Sequence, residues 1–256
     1  MNFNHNSGKC ITIDSANIYV EEFGDPKQQA LVFLHGGFGN MEDFNGLIPL
    51  LQNDYRIIGI DSRGQGKSTL GNTELTYARI EMDLLTVIEK LKIVNPIIIG
   101  FSDGGIAALR LASSSVFKIH KLIIMGASWH TKSLENSKVF LKAITAEKWK
   151  VRFPETYRSY QKLNPEANFD MLTAAIVSMW VDEEPSGHPD DHVQNIDCPT
   201  LIVRGDNDHL VSKESAFELS QIIQNSHLAN IPFSGHEVYV DQKIVLMELI
   251  NHFLNE

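Results

Sequence analysis

Residues 96–106 read Pro-Ile-Ile-Ile-Gly-Phe-Ser-Asp-Gly-Gly-Ile. An apolar run, Pro96–Ile99, leads into Gly100, and a helix-like pattern, Ile106–Ala112, follows Gly104. Gly100-Phe-Ser-Asp-Gly104 must therefore turn the chain from strand to helix within a few residues. The residue at such a turn is strained and its side chain projects. Only small residues fit two positions to either side, which accounts for Gly100 and Gly104. Ser102 then presents its hydroxyl at a strand end, as a candidate nucleophile. The spacing alone is a weak signal, and its strand–turn–helix setting is what makes it strong.

Working outward, apolar runs closed by Gly, Asp or Ser recur at Cys10–Ile13, Ile18–Phe23, Ala30–Leu34, Arg56–Ile60, Pro96–Phe101, Lys121–Met125, Thr200–Val203 and Leu228–Ile231. The later runs are apolar at nearly every position, as expected of parallel strands covered on both faces. The first two are short and alternate, which predicts an antiparallel hairpin at the start of the sheet. Helical patterns lie between them, at about 42–52, 76–93, 104–115, 213–224 and 241–254. Alternating strands and helices predict an α/β fold with a parallel sheet. The alternation lapses between Gly126 and Asp197, where helical segments near 133–149, 155–163 and 168–181 are separated by polar breaks. The expected organisation is a core of 1–125 and 198–256 with a helical cap insertion at 126–197. Such a cap would lie over the sheet's C-terminal edge, where α/β sheets bind ligands.

A serine nucleophile needs a general base. His236, in Phe233-Ser-Gly-His, follows the last strand pattern, where a loop histidine can reach over the sheet edge. The orienting acid is sought after the penultimate strand, where Gly205-Asp-Asn-Asp offers Asp206 and Asp208. An oxyanion hole needs two N–H donors. One comes from the glycine-rich Leu34-His-Gly-Gly-Phe-Gly, with Gly37 the first choice and Phe38 the next. The other comes from Asp103, directly after the nucleophile. His35 is expected to order this loop by hydrogen bonding.

These motifs resemble those of the α/β-hydrolase superfamily: HGG at 35–37, DSRGQGKS at 61–68, GFSDGG at 100–105, GDNDHLV at 205–211 and SGH at 234–236. The resemblance covers nearly the whole chain. It implies a mostly parallel eight-stranded sheet with helices on both faces and a helical cap, and a triad in the order Ser102, Asp208, His236. It favours Asp208 over Asp206, because the family's acid stands three residues after that glycine. Within the superfamily the chain resembles the group of valacyclovir hydrolase (biphenyl hydrolase-like) and related small serine esterases, which share Ser-Asp-Gly-Gly. In that group the Asp after the nucleophile resembles a receptor for a substrate amino group, a role that would fall to Asp103. The iminopeptidase pattern HGGPG is not met, since Phe38 stands where Pro would. Ser at position 102 rather than Asp excludes a dehalogenase.

The implied activity is hydrolysis of small carboxylic or amino-acid esters. Two alternatives are carried: C–C bond hydrolysis or perhydrolysis by the same triad, and a ligand-binding sensor with slow hydrolysis that signals to a partner. Phe38, Phe101, Trp129 and Trp180, with Asp103, are the candidate pocket residues, and Met179 lies beside them. The acidic run 182–184 reads as a solvated face. No cofactor is expected: Gly64-Gln-Gly-Lys-Ser lacks the Walker glycine, which would stand at Asp61, and no dinucleotide fingerprint occurs. His188-Pro-Asp-Asp-His192 has metal-like spacing, but it reads as a solvated loop, so no metal is expected.

Composition narrows the rest. The chain has 256 residues, 43% of them hydrophobic, so it can bury a sizeable core. Its net charge of −10 repels nucleic-acid backbones. No run approaches the roughly 18 apolar residues of a membrane span, and the polar N-terminus lacks a signal-peptide core. Cys10 and Cys198 read as reduced thiols in a cytoplasmic protein. The expectation is a monomer or homodimer acting on a small-molecule ester, with neither nucleic acid nor membrane as partner.

Overall fold

Along β3 (Ala30–Leu34), Val32 and Leu34 belong to one apolar cluster, and Leu31 and Phe33 to another. The period of two in a strand puts these clusters on opposite faces of the sheet, so both faces are covered. The same division runs through β4 (Arg56–Ile60), β5 (Ile97–Phe101), β6 (Lys121–Met125) and β7 (Thr200–Gly205). The computed structural model describes residues 1–134 and 137–256. With β1 (Lys9–Ile13), β2 (Ala16–Phe23) and β8 (Ser226–Ile231), the strands form one sheet in the order β1-β2-β4-β3-β5-β6-β7-β8. β1–β2 and β2–β4 pair antiparallel and the remaining pairs are parallel.

Helices α1 (Tyr77–Lys90) and α2 (Asp103–Ser114) cover the first face, together with α7 (Lys213–Ile222). On the other face α8 (Lys243–Asn255) buries Leu246, Met247, Ile250 and Phe253. Between β6 and β7 lie α3 (Lys138–Lys142), α4 (Ala146–Arg152), α5 (Pro154–Leu163) and α6 (Phe169–Trp180). Thr145 and Asn168 cap α4 and α6 with their side chains. Among the described residues, no helix is long and apolar enough to cross a membrane.

Three expectations are corrected. The pattern at 42–52 forms two 3₁₀ segments, Met41–Gly46 and Ile48–Leu50, divided after Gly46 and with Pro49 inside the second. The predicted single helix 133–149 is broken: the cap at Thr145 begins a new helix, and positions 135 and 136 lie outside the described residues. The last strand is an edge, so most of its side chains are wholly or partly exposed rather than covered on both faces.

The 61–68 turn is filled by the protein's own side chains. Asp61 accepts from the backbone N–H groups of Met41 and Lys67. His5 contacts Asp61 through Nε2 at 2.8 Å and Glu42 through Nδ1 at 2.6 Å. Arg63 forms a buried fork on Asp83, at 2.7 and 2.6 Å. Burial alone would lower the His5 pKa, but its hydrogen bonds and the charges of Asp61 and Glu42 outweigh this and raise it to about 8. Folding therefore binds this proton more tightly than the unfolded chain does. The stabilisation, on the order of 1–2 kcal/mol, is complete below about pH 6.5 and lost as pH rises through about 8. Urea unfolding of wild type and His5→Gln should show a stability gap at pH 6 that narrows by about that amount at pH 9. A gap independent of pH would contradict a charged His5.

Candidate active site

Ser102 lies between β5 and α2 with φ 49° and ψ −118°. This conformation is costly for a residue with a Cβ, by on the order of 1–3 kcal/mol. Packing enforces it. A Cβ at position 104 would sit 2.3 Å from the Leu34 carbonyl oxygen, and one at position 100 would sit 2.6 Å from that of Gly104. The two glycines let α2 start against β3 and β5, and the Ser102 N–H donates to the Met125 carbonyl at 2.9 Å.

The loop after β8 brings His236 to this point. Its Nε2 is 3.1 Å from Ser102 Oγ, and its Nδ1 is 2.9 Å from Asp208 Oδ2. Phe101 flanks the imidazole, with ring centroids 4.9 Å apart. An ionised carboxylate can only accept, so Nδ1 carries the proton and Nε2 is left to accept from the serine. Burial would raise the Asp208 pKa, but the hydrogen bond and charge of His236 and the N–H groups of Leu210 and Val211 hold it below the usual carboxylate range. Arg204 clamps the turn, donating to the Val211 and Asp208 carbonyls at 2.7 and 2.9 Å. Asp206 points elsewhere, pairing with Lys213 at 2.6 Å and accepting from Asn230.

The loop after β3 is equally constrained. His35 Nδ1 donates to the Gly36 carbonyl at 2.7 Å, and Nε2 accepts from the Ser62 N–H at 2.9 Å. Burial lowers the His35 pKa and keeps the ring neutral, as these two bonds require. Among the described residues, the N–H groups of Gly37, Phe38 and Asp103 donate to no protein acceptor. Gly37 has no room for a side chain: a Cβ there would lie 2.6 Å from Asp103 Oδ2 and 2.7 Å from Trp180 Cζ2.

The Asp103 side chain is buried and accepts from the Tyr77 hydroxyl at 2.9 Å and from Trp180 Nε1 at 2.9 Å. Both donors are neutral, and burial raises its pKa despite them. Ser102 and His236 open onto a cavity of about 630 Å³ that Phe38, Phe101, Asp103 and Trp180 also line. Phe38 has φ 61° and stacks on Trp149 at 4.0 Å. The described lining includes the acidic residues Asp43, Asp103, Glu155 and Glu237 but no lysine or arginine.

Trp129 is not part of this lining. It is buried, donates its indole N–H to the Ser215 carbonyl at 3.0 Å, and borders a separate depression. Met179 is core. No cluster of metal-ligating side chains occurs among the described residues. The loop at 188–192 is only partly solvated as expected: Asp191 and His192 are exposed, whereas His188 is buried. Arg110 Nη1 donates to the Gly187 carbonyl at 2.7 Å, and Asp190 accepts from the Thr131 N–H and hydroxyl. Thus pinned, the loop buries His188 in the wall of the cavity.

The family model described as the alpha/beta hydrolase fold matches residues 29–175. Human serine hydrolase BPHL is 25% identical over 242 residues, covering 90% of this chain and 80% of that one. The 2-hydroxy-6-oxo-6-(2'-aminophenyl)hexa-2,4-dienoic acid hydrolase of Metapseudomonas resinovorans is 24% identical, with 92% and 91% covered. The solved esterase EaEST of Exiguobacterium antarcticum superposes with a TM-score of 0.79 at 25% identity, over 97% of this chain and 100% of that one.

Proposed function

Since the chain belongs to the α/β-hydrolase fold family and is a hydrolase of that family, we propose that it cleaves small carboxylic or amino-acid esters through an acyl-enzyme on Ser102. The observation that carries this reading is the continuous chain from Ser102 Oγ through His236 to Asp208, at 3.1 and 2.9 Å. His236 Nε2 takes the hydroxyl proton as Oγ attacks the ester carbonyl. Asp208 holds the imidazole in the required tautomer and stabilises the imidazolium. The uncommitted N–H groups of Gly37 and Asp103 receive the oxyanion, each donor contributing about 3 kcal/mol. His236 then protonates the leaving alcohol and activates water to release the acid.

Electrostatics favour an ester over the C–C alternative. A dienoic acid substrate, of the kind named for the Metapseudomonas relative, would bring a carboxylate beside Asp103 and Glu237 in a lining with no described lysine or arginine to receive it. A neutral or cationic ester meets no such penalty. The same charge balance supports amino-acid esters, because Asp103 is a buried carboxylate served only by neutral donors. An α-ammonium group would supply the missing counter-charge.

The test is a panel of p-nitrophenyl acyl esters beside amino-acid esters, run on wild type and Asp103→Asn. Amino-ester kcat/KM should fall at least about tenfold more than plain-ester kcat/KM, the worth of one charge-assisted hydrogen bond. An equal fall across the panel would leave Asp103 as a backbone donor and a clamp on Trp180.

A further inference from the structure

The chain turns back at Gly36-Gly37-Phe38-Gly39, where the Gly39 N–H donates to the Gly36 carbonyl at 3.1 Å. Three of these four residues are glycines, yet the left-handed backbone falls on the fourth, Phe38, at φ 61°. A turn with positive φ at its third residue alone ordinarily takes glycine there, because a Cβ is crowded by the neighbouring backbone. Local preference opposes this conformation, so it persists only if contacts outside the loop hold it. The Phe38 ring supplies them. Trp149 of α4 stacks on it at 4.0 Å, Phe169 of α6 lies at 5.5 Å, and Trp180 of α6 meets it edge-on at 5.7 Å. All three rings come from the helices inserted between β6 and β7. We propose that Phe38 is a positioning residue: the inserted aromatics grip its ring, and the gripped ring keeps the strained turn that aims the oxyanion donors. The inference rests on the Ser102 reading above and adds what sets the geometry of its oxyanion hole.

The uncommitted N–H groups of Gly37 and Phe38 sit on successive peptides of this turn. Without the grip on its ring, a residue with a Cβ at position 38 relaxes toward negative φ, and that change flips the 37–38 peptide. The flip reverses the Phe38 N–H and the Gly37 carbonyl and shifts the chain that carries the Gly37 N–H. A donor so displaced no longer matches the position of the oxyanion. The donor on Asp103 is tied to the same helix. Trp180 Nε1 donates to the Asp103 carboxylate at 2.9 Å, and a Cβ at Gly37 would lie 2.7 Å from Trp180 Cζ2. Both halves of the oxyanion hole therefore lean on α6, and the hole is assembled only while the inserted helices are seated. Glycine at position 38 adopts the same φ without any grip. Alanine and glycine both lack the ring, but only alanine is strained, and that difference separates positioning from simple contact.

The experiment compares Phe38→Ala, Phe38→Gly, Trp149→Ala and the double variant Trp149→Ala/Phe38→Gly on p-nitrophenyl butyrate, with active sites counted by fluorophosphonate titration. Per active site, kcat in Phe38→Gly should exceed that in Phe38→Ala about tenfold, the weight of the left-handed penalty on a residue with a Cβ, while KM differs by less than about twofold. The Ki of a trifluoromethyl ketone, which adds to Ser102 as an oxyanion, should follow kcat rather than KM. Trp149→Ala alone should lower kcat, and adding Phe38→Gly to it should raise kcat again by about the same factor. A ring that only touches substrate or fills the core gives equal kcat in Phe38→Ala and Phe38→Gly, and a double variant no faster than Trp149→Ala. Either result overturns the proposal, and the Trp149 comparison decides even if Phe38→Ala does not fold. A wild type with neither turnover nor a labelled Ser102 counts against the ester-hydrolase reading. An active wild type whose alanine and glycine variants turn over equally counts against the positioning role of Phe38.

Discussion

Ser102→Ala is expected to lower kcat on a chromogenic ester by about 10⁵–10⁶-fold, to the residual rate that the oxyanion donors and binding alone sustain. In the proposed mechanism the loss is large because Oγ is the atom that bonds to substrate, and Nε2 at 3.1 Å has no other hydroxyl partner among the described residues. Ser102→Gly should be equally inactive yet more stable than wild type, by on the order of 1 kcal/mol. Glycine adopts φ 49° and ψ −118° without the steric cost that serine bears. Stopped-time kinetics and urea unfolding check the two halves of this expectation. An inactive Ser102→Gly that is less stable than wild type would contradict the account of backbone strain.

Asp208→Asn should cost about 10⁴-fold in kcat with little change in KM. Oδ2 now receives the Nδ1 hydrogen of His236, while Oδ1 receives the Leu210 and Val211 amides. An asparagine cannot accept at all three donors. With its oxygen held by the two backbone amides, its NH₂ would face Nδ1 and drive the proton to Nε2, the wrong tautomer for accepting from serine. Asp206→Asn is the internal control: that carboxylate lies at the surface against Lys213 and Asn230, and its loss should leave kcat unchanged. Equal losses from the two variants would point to damage of the whole 205–211 turn rather than to tautomer control.

The two aspartates show how far the residues alone could be read. Gly205-Asp-Asn-Asp offers two carboxylates in one turn, and their local chemistry does not separate them. Arg204 does, by gripping the Asp208 and Val211 carbonyls and turning the Asp208 side chain inward. The elbow was legible because its constraints are local: both glycines sit where a Cβ would strike neighbouring backbone. Strand runs were legible from two-sided burial, but the edge position of β8 depends on sheet order, which no single run records. Trp129 lies in the segment expected to line the pocket, yet its indole turns to Ser215, far along the chain. The burial of His188 escapes the sequence for a related reason. Its burial depends on Arg110 and Thr131, residues that sequence spacing does not connect to it.

The most direct test of the central claim is a rapid acid quench of wild type turning over p-nitrophenyl butyrate, followed by peptide mapping by mass spectrometry. The expected result is a burst of p-nitrophenol and a butyryl adduct on the peptide containing Ser102, absent from Ser102→Ala. Steady turnover in Ser102→Ala, or an adduct carried by any other residue, would contradict an acyl-enzyme formed on Ser102.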